Sequence, residues 1–279
     1  MNDIEVEVEP GVVLRLRHRD GSGEPFLLVH GLSSNARLWD EVAGHLAAAG
    51  HPSWSVDLRG HGESDAPEHG YDTGTAADDL AAIIAALGLA RPVVVGQSWG
   101  GNVVVRLAAK HPHLPGSLGL VDGGWIDLPA MFPDWAACEA ALRPGDIDGR
   151  PAADLRGWLE SSHPDWSATA KAATLANLRV EADGTMWRRL TIPHHLRILR
   201  SMWDEPAGAD LPLVTVPALL LPARGPDDER ADQIRSAAAA LPHARISWYP
   251  DSDHDLHAQH PARVAADLLT LVPGAEAAA

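Results

Sequence analysis

The chain carries one cysteine, Cys138, in 279 residues. A lone thiol excludes an intrachain disulfide and leaves no cysteine cluster to hold zinc. Positive charge is also short: 22 Lys and Arg stand against 38 Asp and Glu, a formal net charge of −16. That balance argues against nucleic acid or an anionic membrane surface as partner. No run of ~18 apolar residues is present to span a bilayer. The acidic start Met1-Asn2-Asp3-Ile4-Glu5 lacks the basic and then apolar pattern of a signal peptide. The expectation is a soluble, cytoplasmic protein acting on a small molecule, with a homodimer left open. Phe and Tyr are scarce, two of each, beside ten Trp. Trp125, Trp135, Trp158, Trp166, Trp187 and Trp203 share one stretch; most are expected to fill a core and a minority to face a ligand cavity.

What is present is a regular alternation. Hydrophobic residues make up 46% of the chain, enough for a substantial core. Ile4–Val8 and Val12–Arg17 alternate apolar and polar residues, as edge strands do. Phe26–Val29, Ser53–Val56, Val93–Val95, Leu118–Val121 and Val216–Leu221 are short apolar runs suited to strands buried on both faces. Arg245–Tyr249 completes eight. Helical patterns at 36–49, 73–88, 99–110, 228–241 and 261–271 lie between or after them, which predicts an α/β fold with a mostly parallel eight-stranded sheet and helices on both faces. The alternation stops after Gly124. Residues 125–212 show short helical stretches, repeated prolines and no convincing strand. They read as a helical cap inserted into a core of residues 1–124 and 213–279, leaving from the strand ends where such sheets bind ligands.

One motif carries chemistry. Gly96-Gln97-Ser98-Trp99-Gly100-Gly101 follows the Val93–Val95 run and leads into a helix. A tight strand-to-helix turn needs glycine neighbours, exposes the Ser98 hydroxyl at the sheet edge and leaves the Trp99 backbone N–H at a helix N-terminus. A serine nucleophile needs a base. His254, in the polar loop Asp251-Ser252-Asp253-His254-Asp255, returns to the strand ends where Ser98 points. Metal ligation by His254, His257 and His260 is disfavoured because helical phase splays them apart, and no metal or cofactor is expected. His30 and His61 are expected to fix loops. His194 and His195 read as a surface or lining pair.

With these residues in hand, the chain resembles an α/β-hydrolase with a helical cap. The resemblance rests on His30-Gly31, on Asp57-Leu58-Arg59-Gly60-His61-Gly62-Glu63-Ser64, on the Ser98 turn and on His254 before Pro261. It implies a Ser–His–acid hydrolase with the oxyanion held by the N–H groups of Leu32 and Trp99. The acid departs from the commonest family pattern. Near the expected place, after the strand following the cap, stand Pro226, Asp227 and Asp228, the aspartates reading better as a helix start. Asp122, ending the Leu118–Val121 strand before Gly123-Gly124, is the favoured acid, a placement resembling haloalkane dehalogenases and certain lactone hydrolases. Asp227 and Asp228 stay open.

Serine at the turn excludes the alkyl-enzyme chemistry of dehalogenases and epoxide hydrolases. The first reading is hydrolysis of a carboxylic ester or lactone of an apolar or aromatic small molecule through an acyl-Ser98 intermediate. Trp125, Trp187 and Ser33 are the candidate substrate contacts. One alternative is a C–C bond hydrolase of ring-cleavage products, gripping a carboxylate with Arg179, Arg188, Arg189, Arg197 or Arg200. The other is a ligand-binding receptor on the same fold.

Overall fold

A computed structural model describes residues 2–274. The chain opens with an antiparallel hairpin, β1 (Asn2–Glu9) and β2 (Val12–Arg19). There follow β3 (Phe26–Val29), α1 (Asp40–Ala48), β4 (Ser53–Val56), α2 (Thr73–Ala86), β5 (Val93–Gln97), α3 (Trp99–Lys110) and β6 (Ser117–Val121). Residues 125–212 contain α4 (Leu128–Met131), α5 (Trp135–Leu142), β7 (Arg150–Pro151), α6 (Ala152–Ser162), α7 (Ala168–Leu175), β8 (Leu178–Val180), β9 (Thr185–Arg188) and α8 (Ile192–Asp204). The chain closes with β10 (Ala218–Leu221), α9 (Ala231–Ala240), β11 (Ala244–Ile246), α10 (Leu256–Gln259) and α11 (Pro261–Leu269).

Eight strands form one sheet in the order β1-β2-β4-β3-β5-β6-β10-β11. Pairing is antiparallel from β1 to β2 and from β2 to β4, and parallel from there onward. The central strands are buried throughout because helices cover both faces. Their side chains alternate between two cores, as the two-residue strand period requires. Leu27, Val29, Val94, Leu118, Leu120 and Leu220 join one; Phe26, Leu28, Val93, Val95, Leu219 and Leu221 join the other. The eight-stranded α/β fold read from the sequence is the fold observed.

Two local expectations are corrected. The 125–212 segment is not wholly helical: β7, β9 and β8 form a small antiparallel sheet. The expected helix from 228 begins only at Ala231, because the Asp228 carboxylate accepts the Arg230 backbone N–H in a turn before it. No helix among the described residues is long and apolar enough to cross a membrane.

Buried charge ties the first edge to the helical layer. Arg59, 4% exposed, forks onto the equally buried Asp79 of α2 through Nε and Nη2 at 2.7 and 2.8 Å, and reaches Glu9 at 2.9 Å. Removing one partner strands a desolvated charge. Asp79→Ala is expected to cost about 3–5 kcal/mol, read as a lower urea midpoint at unchanged slope.

His257, on α10, is fully buried against the Trp39 ring at 4.3 Å. Burial, with the charges of His254 and His30 adding, pushes its imidazole down to about 3. The unfolded chain takes up a proton at an ordinary histidine pKa while the folded one does not. His257 therefore leaves stability intact above that pKa and erodes it as pH falls toward 3. His257→Met is expected to move the acid-unfolding midpoint to lower pH in a circular-dichroism titration.

Candidate active site

Ser98 stands at the C-terminal end of β5 with φ 53° and ψ −124°, a conformation that side chains other than glycine rarely adopt. Backbone contacts on both sides enforce it. The Ser98 N–H donates to the Val121 carbonyl at 2.9 Å, and the Gly101 N–H donates to the Ser98 carbonyl at 2.9 Å. An added Cβ at Gly96 would lie 2.1 Å from the Gly100 carbonyl oxygen, and one at Gly123 would lie 2.1 Å from that of Ser98. Glycine is required at both positions. Trp99 is the first residue of α3, so its N–H has no helical acceptor. Leu32 follows the end of β3. Neither the Leu32 nor the Trp99 N–H has an acceptor among the described residues.

Asp122 follows β6, again at positive φ (40°). Its Oδ1 accepts the Ala223 N–H at 3.1 Å, and its Oδ2 lies 2.6 Å from His254 Nδ1. Asp122 is largely covered, whereas the His254 ring is half exposed toward the cavity. Burial disfavours the His254 imidazolium, but the hydrogen bond and charge of Asp122, joined by Asp255, outweigh it and raise the group above 6.5. Asp227 and Asp228 make no such contact. Asp228 accepts the Arg230 N–H and lies 3.7 Å from Arg224.

The His254 loop is clamped from two directions. Gln97 donates to the His254 carbonyl at 3.3 Å. From the 125–212 segment, Trp166 Nε1 donates to Asp253 at 3.0 Å, and His163 Nδ1 lies 3.0 Å from the same oxygen. His257 and His260 do not converge on His254: the first packs on Trp39 and the second meets Ser252 at 3.1 Å. No cluster of metal-ligating groups occurs among the described residues.

Ser98, Asp122, His254, Leu32 and Trp99 line one cavity of about 570 Å³. Its apolar wall comes largely from the 125–212 segment, through Trp125, Ile126, Leu128, Met131, Leu199 and Met202. A family model described as the alpha/beta hydrolase fold matches residues 24–261. The chain belongs to that family. It is 38% identical over 158 residues to the AB hydrolase superfamily protein YisY of Bacillus subtilis, spanning 57% of this chain and about half (53%) of that relative's length. It is 33% identical over 190 residues to the 2-(acetamidomethylene)succinate hydrolase of Mesorhizobium japonicum, covering 60% of this chain and 67% of the relative. The crystal structure of an E-2-(acetamidomethylene)succinate hydrolase superposes with a TM-score of 0.82, at 24% identity, over 97% of this chain and 98% of the other. At that identity the likeness shows the fold alone.

Several expected contacts of this α/β-hydrolase lie elsewhere. Trp187, expected at the substrate, is 42% exposed on β9 and faces a separate groove. The strand period explains it: Met186 points inward at 2% exposure, so its neighbour points out. Ser33 lines a smaller adjoining cavity and bonds His195 Nδ1 at 2.9 Å, so that His195 stands between Ser33 and the Ser98 cavity. Of the pair read as surface or lining, His195 lines the Ser98 cavity, while His194 is buried and stacks on Tyr71 at 3.9 Å. His30 and His61 hold loops: His30 Nε2 accepts the Leu58 N–H at 3.1 Å, and His61 Nε2 accepts the Ser33 N–H at 3.2 Å.

The sequence reading missed Arg224, Arg230 and Gln233, which line the Ser98 cavity beside β10 and α9. The only signal available was position, since all three follow the strand next to Asp122. An NMR titration is expected to place the His254 imidazole above its ordinary value of 6.5, and Asp122→Asn to bring it down. A neutral His254 is what a Ser98-dependent reaction of this kind would require, so a Ser98-dependent rate is expected to fall as pH drops through that raised value.

Proposed function

We propose that this α/β-hydrolase is a serine hydrolase that cleaves a carboxylic ester or lactone of a small, partly apolar molecule through an acyl-Ser98 intermediate. The observation that carries the reading is the 2.6 Å contact between Asp122 and His254 Nδ1 in the cavity that also contains Ser98. A carboxylate on Nδ1 fixes the tautomer that leaves Nε2 free to take a proton, and it stabilises the imidazolium that results.

In this mechanism His254 removes the Ser98 proton as Oγ attacks the carbonyl. The Leu32 and Trp99 N–H groups receive the oxyanion, their lack of other acceptors leaving them ready. His254 protonates the departing alkoxide and then activates water to release the acid. The 125–212 segment acts as a cap, its apolar side chains excluding water and holding the substrate body. Trp125 is the tryptophan of the cap that belongs to this role.

The C–C hydrolase alternative has less support. Arg179, Arg188, Arg189 and Arg200 are engaged by Glu181, Asp148, Glu63 and Asp204, and Arg197 by the Glu68 carbonyl. None of them lines the Ser98 cavity. The receptor alternative leaves the Asp122–His254 pairing without a purpose.

Ser98→Ala should lower kcat on a panel of esters and lactones by roughly a millionfold with the circular-dichroism spectrum unchanged; substantial residual turnover would remove the mechanism. Asp122→Asn should lose roughly 10⁴-fold in kcat. A loss of that size in Asp228→Asn instead would move the acid to the loop after β10.

A further inference from the structure

We propose that Arg224 and Arg230 form an anion subsite on the β10 side of the cavity, which selects esters bearing a carboxylate several bonds from the scissile carbonyl. The inference deepens the serine-hydrolase reading above and rests on it.

Carboxylates outnumber cationic side chains heavily in this chain, and the arginines of the 125–212 segment named above each have an acceptor. Arg230 does not. Its backbone N–H reaches Asp228, but among the described residues its guanidinium has no carboxylate or carbonyl partner. It stands exposed at the start of α9 and lines the Ser98 cavity. Arg224 lies on the same wall, 30% exposed, and its one carboxylate neighbour, Asp228, is at 3.7 Å, long for a charge-assisted hydrogen bond. Its charge also acts on His254, which puts it within electrostatic reach of the reacting centre. Gln233 and Ser252 add neutral polar groups to that wall. Beyond the Leu32 and Trp99 N–H groups and the histidines His195 and His254, the rest of the cavity is lined largely by apolar side chains, and Arg224 and Arg230 are its only arginines among the described residues.

The sheet order gives the spacing. Leu32 follows β3 and Ser98 follows β5, while Arg224 follows β10, two strands beyond β5 on the opposite side from β3. Two strand spacings amount to about 10 Å, part of which an arginine side chain reaches back across. With its carbonyl oxygen toward Leu32, a substrate would extend past His254 and end at the arginines. A half-ester of a short dicarboxylic acid has that shape. Water adds across its acyl C–O bond to give the free dicarboxylate and the alcohol.

The test compares kcat/KM for methyl half-esters of succinic, glutaric and adipic acids with neutral methyl esters of matched length. The half-esters are expected to be preferred roughly tenfold or more through KM, as one charge-assisted contact supplies, and the preference should shrink with added salt. Arg224→Gln should reduce the ratio and Arg230→Glu should invert it. Equal kcat/KM for charged and neutral esters, or a preference that neither variant alters, overturns the subsite while leaving the hydrolase reading intact. A phosphate-bearing ester preferred over every half-ester overturns the assignment to a carboxylate. Calorimetry of half-ester binding to the Ser98→Ala protein reads the subsite without turnover. Weaker binding in the added Arg230→Glu variant supports it, and unchanged binding overturns it, whatever becomes of the chemistry.

Discussion

The constraint on which the site depends is the close approach of two backbone turns, one after β5 and one after β6. The Ser98 N–H bonds Val121, and the Ser98 carbonyl sits where a Gly123 side chain would be. Neither turn can move without the other. The positive φ of Ser98 and that of Asp122 are two sides of the same packing. It aims the serine into the cavity, leaves the Trp99 N–H at the helix start and sets Asp122 beside the histidine loop. The strain is local, and the fully buried strands that flank it oppose its release.

The remaining geometry follows from what holds His254. Its side chain answers to β6 through Asp122, its carbonyl to β5 through Gln97, and its loop to the 125–212 segment through Trp166, His163 and Asp253. The segment that walls the cavity therefore also braces the imidazole. A displacement of that segment changes the shape of the pocket and the support of His254 together.

Much of this was readable before any coordinates. Buried strands announce themselves as short continuous apolar runs, and the glycines around Ser98 and after Asp122 mark where backbones must pass closely. The juxtaposition of Asp122 with His254 was legible because Asp122 ends a strand before two glycines, a placement that resembles some members of the family, while Asp227 and Asp228 had stayed open. The small sheet of the 125–212 segment was not, since β7 has two residues and β8 three, too few to show a period. The face of Trp187 was hidden for the same reason: without β9, its phase relative to Met186 has no reference. Arg224 and Arg230 were invisible because arginines near a helix start are ordinary, and only the cavity distinguishes them.

The placement of the carboxylate at the end of β6 has an evolutionary consequence. In the commoner arrangement the loop after the post-cap strand must keep an aspartate in register with the histidine, and its sequence is fixed by that duty. Here the same loop, from Ala223 to Arg230, bonds Asp122 only through a backbone N–H, which any residue other than proline supplies at position 223. Among the described residues no side chain of that loop bonds Asp122, and Arg224 reaches His254 only through its charge. Under the proposed mechanism and subsite, selectivity and chemistry occupy different stretches of the chain, so this loop can change what is accepted while Ser98, Asp122 and His254 are kept.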